Sequence, residues 1–322
     1  MKYSQTSSGS PRVHGALPLA VVVAGAAFVH DACGQAAGDQ AVSSQAVRDQ
    51  AASGVTGALP GEGAVGGGLS VQLNFDYATA YYYHGIVQED TGLILQPAAK
   101  ITASIMDGDS GKLDAFFGTW NSFHGQKTAA ATQGDFTEYW YESDVYAGLS
   151  YSRGCWSATA NYIVLTSPSD AYETVQELDL TMAFDDTAAM GAWALHPYAM
   201  LGIETGADGS DGGGTRPGMY LELGVAPGFT ADVHGTPVAF SFPVAVGLSL
   251  SNYYEDASGD DGMFGFAQVG AKASVPLPFG TRYGQWTLNA GVAAMFLGDH
   301  TAAYNADDDT AVVGMIGLQA NF

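Results

Sequence analysis

Apolar and polar residues alternate with a period of two along most of the chain after residue 69, and the last twelve residues show this clearly. From Val312 to Phe322 every second residue is apolar or glycine, whereas the residues between them become more polar toward the end. A period of two is typical of a β-strand with one apolar and one wetter face. The pattern therefore predicts a strand that ends on an aromatic ring.

Alternating segments of this kind repeat twelve times, separated by breaks rich in Gly, Asp, Ser and Pro. Each segment is long enough to cross a bilayer as a tilted strand, which takes about 9–11 residues. In this region, no segment has the roughly 18 apolar residues of a membrane-spanning helix. The predicted strands are approximately 70–83, 92–106, 112–122, 138–151, 155–166, 172–184, 193–204, 218–229, 237–250, 262–275, 283–297 and 311–322.

The breaks are mostly long after odd strands, as at 123–137, and mostly short after even strands, as at 107–111 and 152–154. Long loops at one end, short turns at the other and an even strand number are typical of outer-membrane barrels. Only a closed barrel lets strands pair all their backbone N–H and C=O groups in lipid. We predict an all-β fold, a transmembrane antiparallel up-and-down β-barrel of about 12 strands over residues 70–322.

Composition favours this interpretation over a soluble β-sandwich or a soluble barrel. Charged residues make up 13 % of the chain, about half the usual share of a soluble domain. The wetter strand faces are rich in Gly, Ala, Ser and Thr, which would make an unusual soluble surface. The chain has 33 Asp and Glu against 10 Lys and Arg. Its net negative charge repels phosphate groups, so nucleic acid is an unfavourable partner.

The N-terminal region predicts export. Lys2 and Arg12 precede an uncharged apolar run over 16–29, and a basic region followed by a short apolar core is typical of a secretory signal. Cleavage after Ala36 would give a signal peptide over 1–36; an uncleaved anchor helix is the alternative. Residues 37–69 have few large apolar groups and predict a flexible periplasmic linker.

Aromatic residues cluster at the ends of the predicted strands and indicate two girdles at the membrane interfaces. The terminal strand ending in Phe322 also resembles the signal by which the bacterial barrel assembly machinery recognises its substrates. The predicted outer girdle is Tyr81, Tyr83, Tyr139, Tyr141, Tyr162 and Phe296, and the predicted periplasmic girdle is Tyr151, Trp156, Phe184, Trp193, Phe229, Trp286 and Phe322.

The stretch from Phe75 to Pro97, "FDYATAYYYHGIVQEDTGLILQP", resembles the opening of the TorF-type putative porins, a family of bacterial outer-membrane barrels. The family pattern is S/T-x-Y-x-x-R-G-[IV]-x-Q, followed by an acidic turn and a Gln. The segments 142–151 and 160–184 are also similar to family segments. The resemblance implies a barrel in the outer membrane and a porin activity. Here Thr79, Tyr82, Gly85, Ile86, Gln88 and Gln96 keep the pattern, and His84 replaces the Arg.

If the apolar faces contact lipid, the opposite faces line an acidic interior, and a ring of carboxylates in a narrow pore attracts cations. We predict a small porin that passes small neutral or cationic solutes passively. A filled, non-conducting barrel that serves as an anchor or binds partners through its loops is the alternative. The predicted interior residues are Asp76, Lys100, Asp114, Glu142, Asp144, Glu177, Asp179, His196, Glu204, Glu222 and Lys272.

The sequence favours two other kinds of site, a calcium site and a catalytic site, less than the acidic interior. Acidic loops at 208–214, 255–261 and 305–309 could hold Ca²⁺, but none has the spacing of a defined calcium loop, so solvated loop charge is favoured. The histidines at 84, 124 and 300 have no Ser or Asp in a recognisable relation to them, as nucleophilic catalysis would need. The sequence predicts neither catalysis nor a cofactor nor a dedicated metal site.

Overall fold

The computed structural model describes residues 68–126, 136–206, 216–256, 258–279, 282 and 284–322. The predicted signal peptide and nearly all of the predicted linker lie outside these residues. The described chain forms two short helices, α1 (Thr187–Met190) and α2 (Asp299–Tyr304), and the strands β1 (Leu69–Ala78), β2 (Tyr81–Tyr83), β3 (Ile86–Glu89), β4 (Ile94–Gly108), β5 (Gly111–His124), β6 (Trp140–Arg153), β7 (Trp156–Thr166), β8 (Val175–Phe184), β9 (Tyr198–Glu204), β10 (Met219–Val225), β11 (Gly228–Val233), β12 (Thr236–Ser241), β13 (Val244–Ser251), β14 (Phe264–Leu277), β15 (Gln285–Leu297) and β16 (Thr310–Asn321).

Twelve of these strands form one closed ring in which every neighbouring pair is antiparallel. The order is β1-β4-β5-β6-β7-β8-β9-β10-β13-β14-β15-β16, and β16 pairs with β1 to close the ring. The terminal Phe322 continues this last pairing, because its backbone N–H donates to the carbonyl of Val71 at 2.9 Å. The predicted twelve-stranded antiparallel barrel is confirmed.

Large apolar side chains are exposed on the outer face of the wall, whereas polar side chains are buried on the inner face. On β8, Leu180 and Met182 are exposed, while Asp179 and Thr181, which alternate with them, are buried. The alternation read from the sequence is therefore the alternation between the two faces of the barrel wall. Exposed apolar side chains are found on nearly every wall strand, among them Phe75, Ile101, Phe117, Val145, Leu149, Leu180, Leu223, Leu250, Val269, Val292 and Ile316.

The two ends of the barrel differ. At one end, named the turn end, β4 passes to β5 at Gly108–Gly111 and β6 passes to β7 at Arg153–Trp156. At the other end, named the loop end, the connections are longer; two of the predicted long loops lie partly outside the described residues, at 127–135 and 207–215. The described residues contain no helix long and apolar enough to cross a membrane.

The eighth and ninth predicted strands are each interrupted at the turn end. Pro227 separates β10 from β11, and Pro243 separates β12 from β13. Proline has no N–H to donate to a ladder, so it breaks a strand that would otherwise continue. The paired strands β11 and β12 form a hairpin that continues the register of β10 and β13, and β12 also pairs with β14.

Candidate functional site: the barrel interior

The connection from β1 to β4 folds into the barrel. Its strands β2 and β3 form a short hairpin, named here the inner hairpin (residues 81–89), with His84 and Gly85 at its turn. Both turn residues have positive φ, 46° and 88°, as a two-residue hairpin turn requires. The side chains from Tyr81 to Ile86 are buried, so this segment occupies the interior rather than the surface.

One side of the inner hairpin binds the wall formed by β5 and β6. The hydroxyl of Tyr81 donates to Oε2 of Glu142 at 2.9 Å, and its ring lies 5.3 Å from that of Trp120. The hydroxyl of Tyr141 donates to Oε1 of Gln88. These contacts attach both strands of the hairpin to the same part of the wall.

The tip of the inner hairpin reaches the opposite wall. The ring of His84 stacks on Tyr220, with centroids 4.0 Å apart and planes 8° from parallel. Nδ1 of His84 hydrogen-bonds the hydroxyl of Tyr253, and the hydroxyl of Tyr254 donates to the carbonyl of His84 at 2.8 Å. The hairpin therefore spans the barrel from one wall to the other.

A loop residue also holds the tip in place. Nδ2 of Asn305, which follows α2, donates to the carbonyl of Gly85 at 2.7 Å, and its Oδ1 accepts the N–H of Val87 at 2.7 Å. A Cβ on Gly85 would lie 3.1 Å from Phe266 and from Thr301. The turn is thus tightly enclosed, and only glycine suits both its backbone and its surroundings.

The inner hairpin corrects two sequence predictions. The first strand ends at Ala78 rather than at residue 83. Tyr81, Tyr83 and Tyr141 are buried in the interior and do not belong to an outer aromatic girdle. The period of two continues through residues 81–83, but the chain has already left the wall there, because the hairpin has its own short antiparallel pairing.

Most of the predicted interior acids are buried on adjacent strands. Glu222 accepts the hydroxyl of Tyr198 at 2.8 Å and that of Tyr220 at 2.6 Å. Glu204 accepts the N–H of Gly218. These two carboxylates are hydrogen-bonded, as buried carboxylates generally are. The buried members of the predicted set are Asp114, Glu142, Asp144, Glu177, Asp179, Glu204, Glu222 and Lys272.

Three predicted residues differ from this group. Asp76 and Lys100 are only partly buried, and the Asp76 carboxylate lies over Gly317, where a Cβ would be 1.6 Å from it. His196 does not line the interior. It lies in the connection between β8 and β9, with its side chain 26 % exposed, because β9 begins only at Tyr198.

The structure also brings together a serine and a histidine that sequence reasoning did not connect. Oγ of Ser122 is 2.9 Å from Nε2 of His124, and Nδ1 of that histidine is 3.8 Å from Oε2 of Glu89. The alternation of strand β5 places residues 122 and 124 on one face, which the sequence could have indicated. The order of groups is that of a nucleophile, a base and a carboxylate, but Ser122 has no exposed surface and 3.8 Å exceeds a hydrogen bond.

A second group missed from the sequence lies in the β8–β9 connection at the turn end. Ligand atoms of Asp185, Asp186 and His196 lie within 4.8 Å of one another. The Asp186 carboxylate already accepts the N–H of Leu195 at 3.0 Å and that of His196 at 2.9 Å. Burial would raise the pKa of Asp186, but the backbone donors, together with the nearby imidazole of His196, outweigh it and hold the pKa below its ordinary value. The arrangement is explained by closure of the turn.

We expect Asp186→Ala to lower the free energy of unfolding by about 1–3 kcal/mol, because two backbone donors lose a charged acceptor. Since the folded-state pKa of Asp186 is depressed, this contribution is complete above its unfolded pKa and disappears as the pH falls through the folded pKa. Unfolding measured from neutral to strongly acidic pH should show the variant and the wild type converging in acid. A constant gap between them, or the same loss in the exposed Asp107→Ala control, would contradict this.

In the acidic loop at 255–261, carboxylates accept hydrogen bonds from the backbone. Asp256 accepts the N–H groups of Ser258 and Asp260, and these bonds hold its pKa below the ordinary value. Asp261 accepts the hydroxyl of Ser249 at 2.7 Å and the N–H of Asn252 at 2.9 Å. The first acidic loop, 208–214, lies outside the described residues. Solvated loop charge, without a dedicated metal site, stays the prediction for these loops.

Comparison with known proteins gives similar structures but no sequence relatives. No known family and no curated protein matches the sequence, so the TorF-type resemblance is not confirmed. An outer-membrane channel from Pseudomonas putida F1 is similar with a TM-score of 0.44 and 11 % identity, covering 83 % of this chain and 100 % of the other. The β-domain of the Bordetella autotransporter BrkA has a TM-score of 0.38 and 10 % identity, covering 79 % and 98 %. The KdgM porin has a TM-score of 0.35 and 6 % identity, covering 79 % and 99 %.

Proposed function

We propose that this chain is a bacterial outer-membrane channel that passes small neutral or cationic solutes through an acidic interior, narrowed by the inner hairpin. The observation that carries the proposal is the inverted distribution of side chains. Apolar residues such as Leu180 and Ile316 are exposed around a closed wall, and carboxylates such as Glu177 and Asp179 are fully buried inside it. A soluble barrel has the opposite arrangement.

Lipid is the solvent that suits such an outer face. A closed barrel leaves no strand edge unpaired, so its wall can cross hydrocarbon. The loop end would face the outside, and the turn end, with the start of β1 and the end of β16, would face the periplasm. In that orientation, Phe322 would lie at the periplasmic end of the barrel.

The acids inside the barrel suit cations rather than anions. Glu142, Asp144, Glu177, Asp179, Glu204 and Glu222 are all buried, whereas Lys272 is the buried lysine among the described residues. Fixed negative charge in a narrow pore lowers the free energy of a cation and raises that of an anion. Passage would be restricted, because the inner hairpin contacts the wall on two sides of the interior.

The alternative is a filled barrel that conducts nothing and acts as an anchor or a surface-binding protein. The contacts at both sides of the inner hairpin favour it, because they join opposite walls. Reconstitution in a planar bilayer distinguishes the two. Stepwise current with a cation preference supports the channel, whereas silence across voltages, in protein shown to be folded, supports the filled barrel.

We expect Glu142→Gln combined with Glu177→Gln to lower the ratio of cation to anion permeability. Glutamine keeps the size of each side chain and an acceptor oxygen for Tyr81, so the change is mainly one of charge. The reversal potential in a salt gradient measures the ratio. The matched control is Asp107→Asn with Asp109→Asn, which removes two acids from the exposed β4–β5 turn. An unchanged reversal potential in the first variant, or an equal shift in the control, would reject these two residues as the selective charges.

A further inference from the structure

One row of residues crosses four wall strands in the interior, and it contains a gap. The strand register places Asn161 on β7 beside Asp179 on β8, Asp179 beside Gly202 on β9, and Gly202 beside Tyr220 on β10. Gly202 presents no side chain between Asp179 and Tyr220. A Cβ there would lie 3.0 Å from Oε1 of Glu177 and 3.5 Å from Tyr220. Because Gly202 has no side chain, the Glu177 carboxylate fits beside the wall at this point of the row, which is named here the recess.

Oxygen atoms are concentrated around this recess. Glu177, Asp179 and Thr181 are alternate residues of β8 and all are buried on its inner face. Glu222 lies two strands away, on β10. Two tyrosine hydroxyls already bind Glu222, so it is not counted among the ligands.

Two buried oxygens on the inner faces of β7 and β8 have no hydrogen-bond partner. Nδ2 of Asn161 donates to Oδ2 of Asp179 at 3.2 Å, and this fixes the amide with its Oδ1 unpaired. Oγ1 of Thr181 is also unpaired, and both residues are at least nine-tenths buried. Buried polar atoms in native proteins nearly always have a partner, and an unpaired amide oxygen next to a carboxylate is a ligand of the type that hard cations take.

We propose that this recess is a binding site for a divalent cation, with Asp179, Glu177 and the Oδ1 of Asn161 as its principal ligands and Thr181 as a further one. The donor set consists of oxygen atoms alone, which suits Ca²⁺ or Mg²⁺ rather than thiolate- or imidazole-seeking metals. Ca²⁺ fits better, because it accepts irregular mixtures of carboxylate, amide and hydroxyl oxygen, whereas Mg²⁺ demands near-octahedral geometry. The site rests on the proposed function, since a cation reaches it through the barrel interior, and it makes divalent cations a solute class of the channel.

The test uses the purified full-length barrel, with Tb³⁺ as a luminescent probe for the calcium site and Ca²⁺ as the competitor. We expect one saturable Tb³⁺ signal, excited through tyrosine and reversed by Ca²⁺. Asp179→Asn should weaken binding at least about tenfold, because calcium affinity follows the charge of the ligand set. Asn161→Asp should retain or tighten it. The exposed Asp107→Asn should leave it unchanged.

A charge-neutral variant addresses the recess itself. Gly202→Ala adds one methyl group against Oε1 of Glu177, and it should weaken binding without removing a ligand. The matched control is Gly206→Ala, whose methyl group would meet Gln176 at an ordinary 3.4 Å. Folding of every variant is checked by the heat-dependent mobility of the barrel in detergent gels, so that loss of binding is scored only in folded protein.

The outcomes distinguish a failure of the cation-site proposal from a failure of the channel proposal. No saturable Tb³⁺ signal, or equal binding by wild type and folded Asp179→Asn, overturns the site even if the barrel conducts. Equal weakening by Gly202→Ala and Gly206→Ala overturns the recess. A barrel that binds Ca²⁺ at Asp179 but carries no current in planar bilayers retains the site and overturns the proposed channel.

Discussion

Replacing Tyr81–Glu89 with two glycines should raise the single-channel conductance several-fold. The inner hairpin bridges opposite walls of the barrel, from Glu142 on one side to Tyr220 on the other. Without it, the ends of β1 and β4 remain adjacent, since Ala78 pairs with Ile94, so a short glycine-containing loop can join them. Conductance rises with the open cross-section, and a twelve-stranded barrel has room for a water-filled interior once this segment is gone.

A milder variant tests the same idea without shortening the chain. Asn305→Leu removes both hydrogen bonds that hold the hairpin tip from the loop end, and it should increase the frequency of large-conductance events. Asp308→Leu changes an exposed residue of the same loop and should leave the current traces as they are. Wild-type conductance in the folded hairpin deletion would show that the current does not pass the hairpin and would leave the filled barrel as the better account.

The architecture could be predicted from the sequence because every wall strand alternates between an outer and an inner face. Leu178, Leu180 and Met182 alternate with Glu177, Asp179 and Thr181, and each group occupies one face of β8. The same rule predicted which acids are buried. It depends only on local order along the chain, so no knowledge of distant contacts was needed to count the strands or to assign their faces.

The inner hairpin could not be predicted from the alternation of apolar and polar residues. Its residues continue the alternation of β1 until Tyr83, and the decision to fold inward depends on partners up to 220 positions away, such as Asn305 with Gly85. A local signal did exist: His-Gly between Tyr83 and Ile86 suits a two-residue turn with positive φ. The prolines at 227 and 243 were a similar signal for the breaks in the eighth and ninth strands.

His196 is a residue that the sequence pattern placed inside the barrel and the structure places outside it. It was placed inside by extending the seventh strand back to residue 193, but the chain there is tied into a turn by the Asp186 carboxylate. The group formed by Ser122, His124 and Glu89 could not be predicted from the sequence either. Ser122 and His124 lie on one strand, but Glu89 comes from the inner hairpin and approaches the same histidine only in the folded barrel. Sites that combine the wall with an inserted segment need the three-dimensional structure.

Leu180→Arg should destabilise the barrel in lipid vesicles by about 2–4 kcal/mol, whereas Ile105→Arg should cost about 0–1 kcal/mol. Both leucine and isoleucine are exposed on the outer face, 40 % and 59 %. They differ in depth: residue 180 is near the middle of β8, while residue 105 lies close to the turn that joins β4 to β5. Arginine must lose its hydration in the hydrocarbon core but keeps it near the headgroups.

The measurement is the free energy of unfolding in denaturant, followed by tryptophan fluorescence in vesicles of one lipid composition. Both substitutions replace an exposed aliphatic side chain with arginine, so the added charge is the same and depth in the membrane is the main difference between the two positions. On a surface facing water, either substitution would fall within roughly 0.5 kcal/mol of zero. Equal and small costs at both positions would therefore mean that the apolar outer face meets something other than acyl chains, and the channel, its selectivity and its orientation would all lose their physical basis.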